Sequence, residues 1–439
     1  MTLKFVDLFA GLGGFHVGMK ALGYECVFAC EKNETLAKLY EHNFGIKCEG
    51  DIKDIKASDI PRHDILCAGF PCQPFSKAGK QKGFEDKQNG TYFIKDIARI
   101  LDYHKPKYII LENVPHIKKH ENEHTWEIIS KKLDKLGYNI LFEKLSPHQF
   151  GIPQIRERLF IVGVRGNLDY YKWPQEKDKS ILDIRSILDT KPIDARKLNE
   201  RQIECINLWQ RIVDNIPKDT RLPSFPIWSM EFEANYPFKE TTPAYCKQEK
   251  LGKYKGSFGK TLRGMNKRDQ YKFLPSYAKR KQTKFPEWKQ EFIMKNREFY
   301  KENKKILRPF IKELSQLPPS WQKLEWNCLD GKREIRNYLI QFRASGIRIK
   351  RTNYAPTLVL TQTQIPIVGW EERYITTKEA ARLQSLETID LPDNQRVALR
   401  ALGNAVNAKV VNLVARQLIR EKQSVNPITT KVTTHLASK

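Results

Sequence analysis

Residues 4–43 read KFVDLFAGLGGFHVGMKALGYECVFACEKNETLAKLYEHN, and this stretch decides the fold. Apolar and β-branched residues fill 4–9 and 26–30, and residues 15–22 and 35–43 carry apolar side chains at helical spacing. Strands that alternate with helices in this way are typical of βαβ units, which build parallel sheets. The opening of the chain therefore predicts an α/β fold.

The same alternation continues to about residue 165. The further strands that we predict are 65–68, 108–111, 140–145 and 159–164, and the further helices are 92–104 and 125–136. This arrangement predicts a doubly wound, mostly parallel, Rossmann-like sheet. Near the end of the chain, Thr376 and Thr377 predict the start of a helix, and another helix is expected after Gly403-Asn404-Ala405.

Residues 173–354 lose this regular pattern and are rich in lysine, proline and aromatic side chains. A single core rarely grows beyond about 250–300 residues, and this chain has 439. We therefore predict a second, smaller and irregular domain in this region.

The second domain is strongly basic. Residues 247–308 hold 20 Lys or Arg against 6 Asp or Glu, a surplus of 14 in a total net charge of +26. The aromatic residues among them are Tyr254, Phe258, Tyr271, Phe273, Tyr277, Phe285 and Trp288. Basic and aromatic side chains together suit phosphate contacts and base stacking, so we predict contact with DNA or RNA. A solvated basic face over a small core is the alternative.

Several classes of protein are excluded by composition. No apolar run reaches the roughly 18 residues of a membrane span, and Asp7 precedes any signal-like core. The eight cysteines include no CxxC pair and have no adjacent histidine cluster, so we expect no metal site. The expectation is a soluble, cytoplasmic protein without membrane contact.

The first strand ends in the glycine-rich turn DLFAGLGGF, residues 7–15. Glycines here allow a tight turn and a close approach to a nucleotide-like cofactor at a helix amino terminus. The spacing departs from GxGxxG because His16 stands at the sixth position, so a purely structural turn is the alternative. Glu31 and Asp51 lie where later strands end, and such carboxylates can accept hydrogen bonds from ribose hydroxyls. Solvated loop acids are the alternative for both.

Cys72 lies in GFPCQPFS, residues 69–76, directly after a predicted strand. A buried, inert thiol is the common role for a lone cysteine. The lysines of 77–83 favour a reactive thiol instead, because they can lower its pKa and contact phosphates.

Three further polar residues follow predicted strands or precede them. Glu112, at a strand end, can donate a proton to a ring nitrogen, or it can cap a helix. Arg156 and Arg158 flank Glu157 at alternate positions, where two forked donors suit a base carbonyl or a phosphate. An ordinary ion-paired strand edge is the alternative.

Six ordered motifs resemble those of the DNA (cytosine-5)-methyltransferase family, of the bacterial restriction-modification type. They are the turn at 7–15, Pro71-Cys72-Gln73, Glu112-Asn113-Val114, residues 154–158, residues 379–384 and Gly403-Asn404-Ala405-Val406. The resemblance covers about residues 3–165 and 340–420. The domains it implies are a catalytic and cofactor-binding domain at 1–165, an inserted target recognition domain at 166–350, a return to the catalytic domain at 351–425 and a flexible tail at 426–439.

The resemblance implies S-adenosyl-L-methionine as cofactor and double-stranded DNA as partner. The implied cofactor-binding residues are Phe9, Ala10, Gly11, Gly13, Gly14, Phe15, Glu31, Asp51, Ile52, Pro71, Tyr92, Asn404 and Val406. The implied catalytic residues are Cys72, Glu112, Arg156 and Arg158, and the implied DNA-binding residues are Ser76, Lys80, Gln81 and Lys82. A monomer associated with the nucleoid through DNA is also implied, together with a restriction endonuclease of the same specificity encoded nearby.

The mechanism that the resemblance implies acts on a cytosine flipped out of the duplex. Cys72 attacks carbon 6, because carbon 5 is too weak a nucleophile until a thiolate has added to the ring. Glu112 supports N3, Arg158 the O2 oxygen, and the Phe70 carbonyl the amino group. Carbon 5 then takes the methyl group, and loss of its proton expels Cys72.

Three alternatives to this function remain open. A tRNA cytosine-5 methyltransferase shares the fold, although the large basic insert favours duplex DNA. An amino-methylating DNA enzyme needs an acidic or serine residue with two prolines and an aromatic, which Pro71-Cys72 does not provide. A non-catalytic DNA-binding protein would have lost Cys72, Glu112 or the cofactor turn, and all are present.

Overall fold

The computed structural model describes residues 2–71, 92–120, 123–176, 182–280, 282–358 and 364–419. The chain forms two compact units. The first unit comprises Met1–Leu145, Glu157–Glu176 and Val406–Lys439, and the second comprises Ser146–Arg156 and Lys177–Ala405. These bounds differ from the predicted domain boundaries, and the assignment of 166–350 to target recognition stays a prediction.

The described residues of the two units form thirteen strands and thirteen α-helices. The strands of the described residues are β1 (Lys4–Leu8), β2 (Glu25–Cys30), β3 (Cys48–Glu49), β4 (Ile65–Gly69), β5 (Tyr108–Asn113), β6 (Asn139–Leu145), β7 (Arg158–Val164), β8 (Ile227–Trp228), β9 (Lys323–Asn327), β10 (Leu339–Arg343), β11 (Gly346–Lys350), β12 (Ile367–Val368) and β13 (Arg373–Tyr374). The helices are α1 (Gly14–Lys20), α2 (Glu34–Phe44), α3 (Ala98–His104), α4 (His124–Lys135), α5 (Glu200–Asn215), α6 (Gln248–Leu251), α7 (Lys267–Lys272), α8 (Glu287–Glu302), α9 (Lys304–Leu307), α10 (Ile311–Gln316), α11 (Thr377–Arg382), α12 (Gln395–Asn404) and α13 (Ala408–Leu418).

The sheet of the first unit has the order β3-β2-β1-β4-β5-β7-β6. Neighbouring strands are parallel except at β7, which runs antiparallel to β5 and β6. Val6, Leu66 and Leu111 on the central strands are completely buried, as expected for a parallel sheet covered on both faces. The predicted α/β class and mostly parallel sheet are confirmed.

The chain builds this sheet outward from β1 in two directions. β2 and β3 lie on one side of β1, whereas β4 and β5 lie on the other. Ligands of open α/β sheets bind beyond the carboxyl ends of the strands at such a reversal of strand order. A ligand-binding site is therefore expected in the loops after β1, β2, β4 and β5.

The second unit contains its own sheet, in the order β13-β12-β10-β11-β9-β8, and two helices of 16 residues, α5 and α8. It is more regular than the sequence predicted. Three of its strands, β8, β12 and β13, have only two residues and show no periodicity. Its sheet also joins distant segments, since β9 pairs in parallel with β11 and antiparallel with β8.

The predicted helix start at Thr376 is confirmed. The Thr376 hydroxyl accepts from the Glu379 N–H at 3.1 Å, and the Glu379 carboxylate accepts from the Thr376 N–H at 2.8 Å. This reciprocal cap begins α11. The helix expected after Gly403-Asn404-Ala405 is α13, whereas α12 was not predicted. None of the helices in the described ranges has the length and apolar character that crossing a bilayer requires.

Candidate active site

The glycine-rich turn joins β1 to α1 in an unusual backbone conformation. Phe9, Gly11 and Gly13 all have positive φ, at 60°, 54° and 80°. This region is strained for a phenylalanine, and such strain is concentrated at ligand sites. A Cβ at Gly11 would meet only the Phe9 carbonyl, at 4.0 Å, so the backbone there faces open space. The Ala10 N–H donates to the Cys30 carbonyl at 2.9 Å and fixes the turn against β2.

Two carboxylates stand at neighbouring strand ends beside this turn. The Glu31 carboxylate accepts from the Gly11 N–H at 3.0 Å and from the Asn33 N–H at 2.8 Å. Burial raises the pKa of Glu31, and these two hydrogen bonds oppose that rise. Asp51 lies 3.3 Å from the Lys32 ammonium. Ile52, next to Asp51, is buried.

Helix α13 packs closely against α1. A Cβ at Gly14 would lie 2.4 Å from the Val406 carbonyl, and one at Gly18 would lie 2.7 Å from the Ala408 carbonyl. The Asn412 amide donates to the Gly18 carbonyl at 3.1 Å. The structure thus brings Val406 to the glycine turn, and the cofactor-binding roles of Val406 and Asn404 stay predictions. Asn404, by contrast, belongs to the second unit.

An ion pair occupies the ends of β5 and β7. The Arg158 Nε lies 2.9 Å from the Glu112 carboxylate, and both side chains are largely buried. A Cβ on Gly69 would lie 3.7 Å from the Glu112 carboxylate and 3.6 Å from the Phe15 ring. Glu112, Arg158 and Phe15 therefore converge on the carboxyl end of β4.

Asn113 orients the backbone at that same point. Its amide NH₂ donates to the Phe70 carbonyl at 3.1 Å, and its amide oxygen accepts from the Val114 N–H at 2.8 Å. Asn113 is almost completely buried. The sequence reasoning did not assign a role to Asn113. A polar residue at the end of a buried strand, next to a candidate acid, was the available signal.

A second polar cluster that sequence reasoning missed lies beneath the turn. The Tyr40 hydroxyl is 2.7 Å from His16 Nδ1 and donates to the Asp7 carboxylate at 3.3 Å. Burial raises the pKa of Asp7 well above its usual value and lowers the pKa of His16 to about 4. His16 also stacks on Phe44, with ring centroids 3.9 Å apart. His16, the residue that departs from the GxGxxG spacing, thus packs against Phe44 and Tyr40 and supports the turn.

Arg156 makes hydrogen bonds to residues of its own unit. It belongs to the second unit, is 1% exposed, and donates to the Ala405 carbonyl at 2.8 Å. Its backbone N–H donates to the Ser146 hydroxyl at 2.9 Å. These contacts tie Arg156 to Ala405 and to Ser146, and a role for Arg156 in catalysis stays a prediction.

Several predicted site residues lie outside the described ranges. They are Cys72, Ser76, Lys80, Gln81 and Lys82. Pro71 is described as the residue that follows β4 and Phe70. Tyr92 begins a π-helical turn, Tyr92–Ile97, and its side chain is outside the description. The roles of these residues stay predictions.

The hydrogen-bonding groups at this edge of the sheet fit S-adenosyl-L-methionine. Glu31 and Asp51 offer carboxylates for hydroxyl and amino groups, and the open backbone at Gly11 allows close approach. Within the described residues, no group of three or more His, Cys, Asp or Glu side chains could hold a metal ion.

Comparisons with known proteins show what the chain is similar to. A family model described as C-5 cytosine-specific DNA methylase matches residues 3–420. The chain is 39% identical over 222 residues to the type II methyltransferase M.HhaI of Haemophilus parahaemolyticus, covering 50% of this chain and 67% of that protein. It is 30% identical over 502 aligned positions to the type II methyltransferase M.AluI of Cellulosimicrobium cellulans, covering 97% of this chain and 94% of that protein.

A solved structure shows the same fold. It is a putative DNA modification methyltransferase encoded within a prophage of E. coli, with a TM-score of 0.53 and 18% identity. The match covers 95% of this chain and 98% of that one. At this identity the likeness supports the architecture alone.

Proposed function

This chain belongs to the family of C-5 cytosine-specific DNA methylases, and from that membership we propose how its own residues carry out the reaction. The protein is a DNA (cytosine-5)-methyltransferase that uses S-adenosyl-L-methionine as methyl donor. The observation that supports the assignment of roles best is the pairing of Glu112 with Arg158 beside the glycine turn.

Cys72 is the proposed nucleophile. A cytosine in a duplex hides carbon 6 within the base stack, so the target base must first be flipped out. The Cys72 thiolate then forms a bond to carbon 6 and pushes electron density into the ring, which makes carbon 5 nucleophilic. Cys72 follows Phe70-Pro71 in the chain, and the Gly69 that precedes them lies beside Glu112 and Phe15.

We propose that described residues stabilise the charge that develops in the ring. Glu112 is proposed to hydrogen-bond N3, and Arg158 is proposed to contact O2 while holding the Glu112 carboxylate. The Phe70 carbonyl is proposed to accept from the cytosine amino group. Asn113 supports that role, because its hydrogen bond fixes the direction of the Phe70 carbonyl.

The proposed cofactor cradle is the turn at 9–15 with Glu31, Asp51 and Val406. When bound, S-adenosyl-L-methionine supplies an electrophilic methyl group. Carbon 5 of the activated ring takes that methyl, a base removes the carbon 5 proton, and the returning electrons break the bond from carbon 6 to sulfur. The products would be 5-methylcytosine, S-adenosyl-L-homocysteine as the leaving group, a protonated base and a free Cys72 thiolate.

The biological setting is proposed by analogy with the type II methyltransferases to which the chain is similar. We propose that the enzyme methylates one specific sequence and protects DNA from a restriction endonuclease encoded nearby. It is further proposed to act as a monomer on nucleoid DNA, with residues 166–350 reading the target.

The test is methyl transfer from labelled S-adenosyl-L-methionine to duplex DNA and, in parallel, to tRNA. Digestion and mass spectrometry identify the modified base, and bisulfite mapping identifies the target sequence. We expect 5-methylcytosine in DNA alone. Label in tRNA alone, or in neither nucleic acid, would contradict the proposal.

The Cys72→Ser variant tests the covalent step. The hydroxyl is a far weaker nucleophile at neutral pH, so we expect methyl transfer to be lost while S-adenosyl-L-methionine still binds. Equilibrium binding of the labelled cofactor supplies the control. Full activity in the variant would exclude a thiolate adduct.

A further inference from the structure

A cleft of about 570 Å³ lies in the second unit, and its wall includes Phe258, Phe273 and Tyr277 of the basic segment 247–308. Its wall includes four lysines, Lys260, Lys272, Lys279 and Lys323, and four serines. No Asp, Glu, Arg or Asn lines the described wall. Such a cleft concentrates positive potential and offers hydroxyl donors, which is the chemistry that phosphate groups require.

Three of these lysines form no salt bridge with a described carboxylate. Within the described part of the chain, Lys260, Lys279 and Lys323 have no carboxylate at salt-bridge distance, whereas Lys272 pairs with Asp269 at 2.6 Å. The Lys323 ammonium lies 5.5 Å from the Trp228 ring, and burial lowers its pKa. An anion in the cleft would stabilise the charged form of Lys323, which burial disfavours.

A strained turn forms one side of the cleft. We call residues 256–260 the Phe258 turn, because Phe258 has φ 56° and ψ 31°, a conformation that disfavours a bulky side chain. The Ser257 N–H donates to the Phe273 carbonyl at 2.6 Å, and the Gly256 N–H donates to the Lys260 carbonyl at 2.8 Å. The surrounding structure therefore holds the turn in this conformation.

The glycines of the turn show how tightly it is held. A Cβ at Gly256 would lie 2.2 Å from the Phe273 carbonyl, and one at Gly259 would lie 2.5 Å from the Glu233 carboxylate. The turn is thus built so that the half-buried Phe258 ring and the exposed Lys260 both reach the cleft. A preorganised aromatic ring beside free ammonium groups suits a nucleotide chain.

We propose that this cleft binds the sugar-phosphate backbone of duplex DNA, with Lys260, Lys279 and Lys323 on phosphates and Phe258 against a neighbouring sugar or base. The inference rests on the proposed function and adds to it a site that positions DNA without reading its sequence. Lysines act as point charges on phosphates, whereas base edges are read mainly by forked side chains such as Arg, Asn and Gln. Gln322 is the one amide side chain of the described wall, and its NH₂ group donates to the Leu317 carbonyl at 2.7 Å.

The experiment compares the double variant K260Q/K279Q with the control K131Q/K135Q. The control removes the same charge from exposed lysines of α4, which lie outside residues 247–308 and do not line the cleft. Binding is measured with one short duplex that carries the mapped target, one that does not, and tRNA, across about 50 to 200 mM salt. Methyl transfer at saturating DNA and bisulfite mapping complete the comparison.

We expect K260Q/K279Q to weaken both duplexes alike, on the order of tenfold, and to reduce the slope of log affinity against log salt by about 1.8 relative to wild type. The turnover rate at saturating DNA and the methylated sequence are expected to match those of the control. An unchanged slope, or a loss confined to the target duplex, would overturn the proposal. Weaker binding of tRNA alone would assign the cleft to RNA and overturn it too.

Phe258→Gly separates binding from folding, because glycine adopts positive φ without strain. We expect DNA affinity to fall about fivefold, with the target sequence unchanged. A variant that melts earlier yet binds DNA like wild type would show that Phe258 serves only the core. Wild-type protein that fails to make 5-methylcytosine in DNA would count against the proposed function and not against the cleft.

Discussion

The Glu112 carboxylate and the Arg158 guanidinium fix one another at 2.9 Å on the ends of adjacent strands. Glu112→Gln keeps the size of the side chain and removes its charge. We expect turnover to fall on the order of 100-fold, because the ring nitrogen loses its partner in the transition state. Cofactor binding, measured by titration calorimetry, is expected to change little.

Glu157→Gln is the matched control for this substitution. Glu157 lies next to Arg158, but its carboxylate is half-exposed and pairs with Lys144 at 2.8 Å. Exposed pairs contribute at most about 1 kcal/mol, so near-normal turnover is expected. Equal losses in E112Q and E157Q would mean that the ion pair serves only the fold.

At the residue scale, the sequence predicted side chains whose chemistry is local. Glu112 and Arg158 were recognised from their own segments, and the structure brings them together. Asn113 was not assigned, because its hydrogen bond to Phe70 spans 43 positions of the chain. Arg156 and Arg158 were expected to face one side of the strand, and that stays a prediction. The hydrogen bond from Arg156 to the Ala405 carbonyl was not foreseen, because it spans 249 positions of the chain.

Among the elements, the contact of α1 with α13 depends on the absence of side chains. Gly14→Ala would place a Cβ 2.4 Å from the Val406 carbonyl, a backbone atom that cannot move without shifting α13. We expect a loss of about 1–3 kcal/mol in the free energy of unfolding. Weaker binding of S-adenosyl-L-methionine is expected as well, because Val406 moves away from the turn.

Gly50→Ala provides the control for crowding. Its Cβ would meet no atom within 4 Å, so urea unfolding is expected to give nearly the wild-type value. Both glycines lie in loops or at a helix start beside the proposed cofactor cradle. If G14A unfolds like G50A, helix α13 is not held by this contact.

Elements with a periodic sequence were predicted well, and those defined by distant pairing were not. The strands and helices of the first 165 residues appear with ends close to the predicted positions. β3 was missed because two residues, Cys48 and Glu49, carry no period. The sheet of the second unit was not predicted, because the pairing of β9 with β8 and β11 depends on tertiary packing.

For the whole molecule, charge and burial make opposite demands. The net charge of +26 favours binding to DNA, but repulsion among the like charges destabilises the folded state. Stability therefore depends on a well-packed interior. That interior contains His16 and His63, whose pKa values burial lowers from 6.5 to about 4. Between these pH values the unfolded chain binds protons that the folded chain excludes. Each histidine therefore makes the protein less stable as the pH falls from about 6.5 to 4.

His63→Gln tests this linkage in the intact protein. At pH 4 a single buried histidine of this kind costs about 3 kcal/mol relative to pH 7. Buried carboxyls such as Asp7, whose pKa is raised, act in the opposite direction, since the folded state binds their proton more tightly. Comparing H63Q with wild type removes that contribution, because Asp7 is present in both. We expect the loss of urea stability between pH 7 and pH 4.5 to be smaller in H63Q, whereas H124Q, at an exposed position, should follow wild type. Parallel curves for all three proteins would show that His63 accepts its proton without unfolding.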